Sequence, residues 1–127
     1  MAIRGIGVDL VRVARLERLH ARYGERLAER VLHPDERPGL AEAPEPARYL
    51  AKRFAAKEAG SKALGTGFAL GVRLRDLRVV HDDLGKPALV LSGVAAERAA
   101  ALGVTGCHLS LSDEHEHVIA LVVLEGA

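Results

Sequence analysis

The sequence predicts an α+β fold: an antiparallel sheet with helices on one face, in the order β-α(2–3)-β2-α-β2. Three observations predict it. Apolar residues alternate with period two near both ends of the chain, as in half-buried strands. They recur every three or four residues between 13 and 31 and again between 47 and 64, as in amphipathic helices. The later strand-like runs follow one another across short turns, which only antiparallel neighbours permit.

Residues 2 to 10 read as the first strand, with Ile6 and Val8 on one face and Gly5, Gly7 and Asp9 on the other. The two glycines leave a bare backbone that another element can approach closely. A helix follows, marked by Val13, Leu16, Leu19, Tyr23, Leu27 and Val31, with Gly24 as its weak point. "HPDERPGLAEAPEP" (33–46) holds four of the five prolines and reads as a loop with room for one short helical turn. The next helix runs from about Ala47 to Leu64 and is stopped by "GTG" at 65–67. "LRDLRVVHD" and "PALVLSG" read as strands joined through "DDLGK", and Ser92 as the cap of an alanine-rich helix ending at Gly103. "CHLSLS" and "HVIALVVLE" close the chain as a hairpin around the polar tip "DEHE".

A chain of 127 residues suffices for one domain, spanning 1–127, and not for two. Only 3% of residues are aromatic and none is Trp, so Leu, Val and Ala must build a thin core that oligomerisation would help. The net charge of +1 argues against a general nucleic-acid binder. Cys107 stands alone, no run is long enough to span a membrane, and "MAIRGIGVDL" lacks the pattern of a signal peptide. A cytoplasmic protein is expected.

The chemistry concentrates on two acids. On a helical wheel with Leu50 at zero, Phe54 falls at about 40°, Ser61 at about 20° and Glu58 at about 80°. Glu58 thus sits on the apolar stripe, flanked by Lys57 and Lys62. It is either the partner of Lys62 in an i,i+4 pair or a carboxylate held inward for a cation. Asp9 is either a helix N-cap, for a helix beginning near Leu10, or a second ligand. Two carboxylates with adjacent cations suit Mg²⁺ carrying a pyrophosphate, with Arg53, Lys57 and Lys62 serving the phosphates. His115 and His117 read as hairpin-tip polarity rather than zinc ligands. His108, Ser110 and Ser112 share one strand face. Seven arginines and no lysine lie between Arg4 and Arg30, and Arg15, Arg22 and Arg26 share one side of the helix wheel. Such a one-signed stripe is either a solvated face or a surface for an acidic partner.

Together these pieces resemble the acyl carrier protein synthase family, the small phosphopantetheinyl transferases of fatty-acid synthesis. "GIGVDLVRVARLE" (5–17) resembles its first motif and "RFAAKEAGSKALGTG" (53–67) its more specific second. "LGKP" (84–87) and "HLSLSD" (108–113) follow in order. Where many members carry His, this chain has Asp113. The resemblance implies transfer of 4′-phosphopantetheine from coenzyme A to a serine of apo acyl carrier protein, releasing adenosine 3′,5′-bisphosphate. It makes Asp9 and Glu58 the ligands of Mg²⁺ (or Mn²⁺) and Lys62 the group that stabilises or protonates the leaving oxygen. Glu58, directly or through a water, or else Asp9, serves the carrier serine as base or orients its water. Arg53 and His108 hold the nucleotide, while Arg15, Arg22 and Arg26 dock the carrier. A homotrimer with sites between subunits is implied as well. Without the resemblance, a magnesium-dependent nucleotide pyrophosphatase and a non-catalytic trimeric module that recognises coenzyme A or an acidic protein remain rival readings.

Overall fold

A computed structural model describes residues 1–127. The strands are β1 (Ala2–Arg12), β2 (Leu77–His81), β3 (Pro87–Leu91), β4 (Val104–Asp113) and β5 (His117–Gly126). The helices are α1 (Val13–Tyr23), α2 (Glu25–Val31), α3 (Arg37–Glu42), α4 (Pro46–Ala63) and α5 (Gly93–Ala101). Every strand pairing is antiparallel, as expected. The strands form two sheets rather than one: a three-stranded sheet ordered β1-β5-β4, and the separate hairpin β2-β3. The five-residue strands β2 and β3 satisfy each other, and β3 packs beside β4 without joining its ladder.

The sequence of β5 explains the core. Val118, Ala120, Val122 and Leu124 point to one side and are buried, while Ile119 and Leu121 point outward. Helix α4 lies across the buried side on a ridge of Ala51, Ala55, Ala59 and Ala63, spaced by four so that all face the sheet. At Gly5 and Gly7 the small side chains of the helix meet no side chain on β1. A Cβ on Gly7 would lie 2.0 Å from the Ala59 carbonyl oxygen, and one on Gly5 would lie 2.0 Å from that of Ala63. Helix backbone therefore rests almost directly on strand backbone, which sets the height of everything α4 carries toward Asp9.

Four local expectations change. Strand β1 continues to Arg12, pairing Asp9 with Ala120 and Arg12 with His117, so the helix starts at Val13. Asp9 is an interior strand residue and caps nothing. Gly24, with φ +53°, does more than weaken the first helix; it divides it into α1 and α2. The proline-rich segment holds a 3-10 turn at Pro34–Glu36 and the six-residue α3. Ser92 does stand at the N-cap of α5, but its hydroxyl donates to the Asp76 carbonyl instead of capping. No helix is long and apolar enough to cross a membrane.

Candidate active site

Asp9 lies on the edge strand β1, on the face covered by α4. Glu58 and Lys62 are one turn apart on α4, on the side turned toward β1 and α1. Lys62 does not pair with Glu58. Its ammonium donates to Asp9 Oδ1 at 2.9 Å and to the Val8 carbonyl at 3.1 Å. No cationic nitrogen lies within 4.0 Å of the Glu58 carboxylate, so the ordinary i,i+4 pair is absent. Glu58 is half-buried, and its carboxyl is held above the usual 4.5, first by burial and next by the charge of Asp9. Lys62 and Arg15 oppose that rise. Two neighbouring carboxylates with so little positive charge against them are suited to a cation.

The donor set fits a hard divalent ion. Both candidate groups are carboxylates, and no third acid, imidazole or thiol joins them, so substrate oxygens and water would have to complete the shell of an ion held there. An ammonium already resting on Asp9 marks where positive charge is wanted.

The structure does not bring Lys57 to this site. Lys57 is fully buried, 2.5 Å from Glu36 Oε1 and donating to the Val31 carbonyl at 2.7 Å. This corrects its assignment to the phosphates, because no atom of its ammonium faces solvent or Asp9. Burial pulls its pKa down and Glu36 opposes the fall. Glu36 is a hub: it also accepts from the backbone N–H groups of His33 and Val79, and Arg53 Nε lies 3.5 Å away. Sequence reasoning missed Glu36 altogether.

Arg53 reaches that hub only by this 3.5 Å contact, its buried Nε making no hydrogen bond, and stacks over the Tyr49 ring, 3.6 Å from its centroid. Its remaining face opens on a basic cleft shared with Arg48, Lys52 and His81. His108 lies on the opposite side of the sheet from Asp9, bonded to Glu125 Oε1 at 2.8 Å. Ser110 and Ser112 share its outward face, as the alternation predicted. Neither Arg53 nor His108 meets the two acids within one chain. Arg15 and Arg22 are exposed on α1, Arg15 over the Phe54 ring at 5.3 Å and Arg22 over Tyr23 at 5.3 Å. Arg26 belongs to α2, so the single wheel that grouped all three does not hold past Gly24. Asp113 is clamped by Arg48 (2.9 Å) and Lys52 (3.5 Å), which tie the β4–β5 tip to α4.

Fold and sequence together define a phosphopantetheinyl-transfer enzyme. The 4′-phosphopantetheinyl transferase superfamily model matches residues 5–122, and the chain belongs to that superfamily. Its similarity narrows to one branch, the holo-(acyl-carrier-protein) synthases, and it is an enzyme of that kind. The synthase of Alkalilimnicola ehrlichii is 57% identical over 98% of this chain and 98% of its own. The crystal structure of the Neisseria meningitidis synthase superposes with a TM-score of 0.91 at 42% identity, covering 98% of this chain and 99% of that one. The Bacillus anthracis synthase, solved in complex with coenzyme A (3′,5′-ADP), superposes at 0.81 with 36% identity, covering 98% of each chain.

Proposed function

We propose that the chain transfers the 4′-phosphopantetheine group of coenzyme A to a serine of apo acyl carrier protein, in fatty-acid biosynthesis. The observation that carries this reading is the Asp9–Glu58–Lys62 cluster: two neighbouring carboxylates, one of them without a paired cation, beside a half-exposed ammonium. Asp9 and Glu58 hold Mg²⁺, with Mn²⁺ as the alternative. When bound, the ion polarises the pyrophosphate and balances charge on the leaving group.

The carrier serine Oγ attacks the pantetheine-side phosphorus, and the bond from that phosphorus to the bridging oxygen breaks. Adenosine 3′,5′-bisphosphate leaves with the electron pair. Glu58 takes the serine proton, directly or through a water. Lys62, four residues on, neutralises the departing oxygen. Arg53 and His108 contact the nucleotide, and Arg15, Arg22 and Arg26 meet the acidic carrier.

His108 and the two acids lie on opposite faces of one sheet, so a nucleotide touching both would lie between subunits. The outward face supports such an assembly. Ile6, Val8 and Leu10 are 65%, 52% and 64% exposed beside Ile119 and Leu121, an apolar surface of the kind covered in oligomers. A homotrimer in the cytoplasm is the proposed state. Incubation with coenzyme A, Mg²⁺ and apo carrier, followed by intact-mass measurement of the carrier, tests the reading. A pyrophosphatase would consume coenzyme A and leave the carrier unmodified, and a binding module would change neither.

A further inference from the structure

Lys62 has two acidic neighbours and chooses the one on another element. Its Nζ bridges Asp9 Oδ1 and the Val8 carbonyl, while Glu58 on its own helix accepts nothing at its carboxylate. The side chain is half exposed, so the bridge is solvent-screened and easily exchanged. An ammonium and a divalent cation cannot both crowd one carboxylate without strong repulsion.

We propose that Lys62 is an exchange cation: it neutralises Asp9 while no metal ion is bound, and swings to the coenzyme A pyrophosphate when the ion arrives. The inference rests on Asp9 and Glu58 being the metal ligands. Lys62 is suited to it by a compact charge on a flexible four-carbon stem, anchored one helical turn from Glu58. Metal ion alone must then displace Lys62 at a cost. Metal ion with coenzyme A finds Lys62 already drawn to phosphate, so each ligand strengthens the other's binding. Lys62 thereby couples the order in which the site fills, in addition to serving the leaving group.

Calorimetric titration of Mn²⁺ into the full chain tests this, with and without saturating coenzyme A and corrected for Mn²⁺ binding to free coenzyme A. Lys62→Met should bind Mn²⁺ alone about tenfold more tightly than wild type, and should gain at least about tenfold less than wild type when coenzyme A is added. Unchanged affinity for Mn²⁺ alone overturns the exchange. Equal tightening with and without coenzyme A also overturns it, since that is through-space repulsion without competition for Asp9. Glu58→Gln keeps the two questions apart. If it binds Mn²⁺ as wild type does, the metal reading fails and the inference with it. If it loses Mn²⁺ while Lys62→Met matches wild type, only the exchange fails. Melting curves check that each variant is folded.

Discussion

Lys57 and Glu36 form a buried ion pair, 2.5 Å from Nζ to Oε1, with neither side chain more than 2% exposed. It fastens the turn at 33–36 to α4 at the residue next to Glu58, and Glu36 carries the same tie to β2 through the Val79 N–H.

Lys57→Met should therefore cost stability before it affects chemistry. It strands the Glu36 carboxylate in the interior, for which a loss of about 3–5 kcal/mol is usual. Urea unfolding should show that loss, and Lys57→Met/Glu36→Leu should recover much of it. If Lys57 instead served the phosphates, the single variant would unfold like wild type and show a raised KM for coenzyme A.

Gly7→Ala tests the backbone-on-backbone seat of α4. The new methyl would fall 2.0 Å from the Ala59 oxygen and 2.7 Å from the Ala63 nitrogen, and neither can yield without moving the helix. A loss of about 1–3 kcal/mol or more is expected, with reduced activity because Glu58 and Lys62 move with α4. Unaltered melting and turnover would contradict the packing described.

Glu58→Gln should stabilise the protein at neutral pH. The Glu58 carboxyl is held above 4.5, by burial first and Asp9 second, so the folded chain binds its proton more tightly than the unfolded chain does. Its favourable contribution is present below about pH 4.5 and is lost as pH rises through the raised value. At pH 7 without metal ion, the ionised carboxylate opposes folding. The variant should then melt higher than wild type, with the gain vanishing in acid. Added Mg²⁺ should raise the melting temperature of wild type and not that of the variant.

Much of this site was legible in the sequence because its signals are local. Gly5, Gly7 and Asp9 alternate on one strand, and Glu58 and Lys62 are separated by one turn. The role of Lys57 was hidden because its partner lies 21 residues upstream in a proline-rich segment with no periodicity. A signal was present nonetheless. On the wheel that placed Glu58 at about 80°, Lys57 falls about 20° from Leu50, deeper in the apolar stripe than Glu58. Asp9 looked like a cap because strand and helix join without a loop, and only the pairing of Arg12 with His117 shows how far β1 runs. The division into two sheets was not legible, since strand-like runs do not say which neighbours they choose.

Charge reversal of Arg15 and Arg22 to Glu should raise the KM for carrier protein about tenfold or more and leave that for coenzyme A nearly unchanged. Both side chains are exposed on α1, so the core is not at stake. The loss should fall on the association rate, and the wild-type salt dependence at low carrier concentration should flatten in the variant. Equal damage to both substrates would assign these arginines to the nucleotide or to folding.

The most direct test of the transfer site is the intact mass of apo carrier protein after incubation with coenzyme A, Mg²⁺ and either wild type, Glu58→Gln or Asp9→Asn. Asn and Gln keep the shape of each side chain and remove only the charge that would hold the ion. Wild type should add one phosphopantetheine group to the carrier, and each variant should do so about 10²–10³-fold more slowly while remaining folded. Carrier modified by either variant at the wild-type rate, at any Mg²⁺ concentration, would contradict the assignment of Asp9 and Glu58 as the acids on which transfer depends.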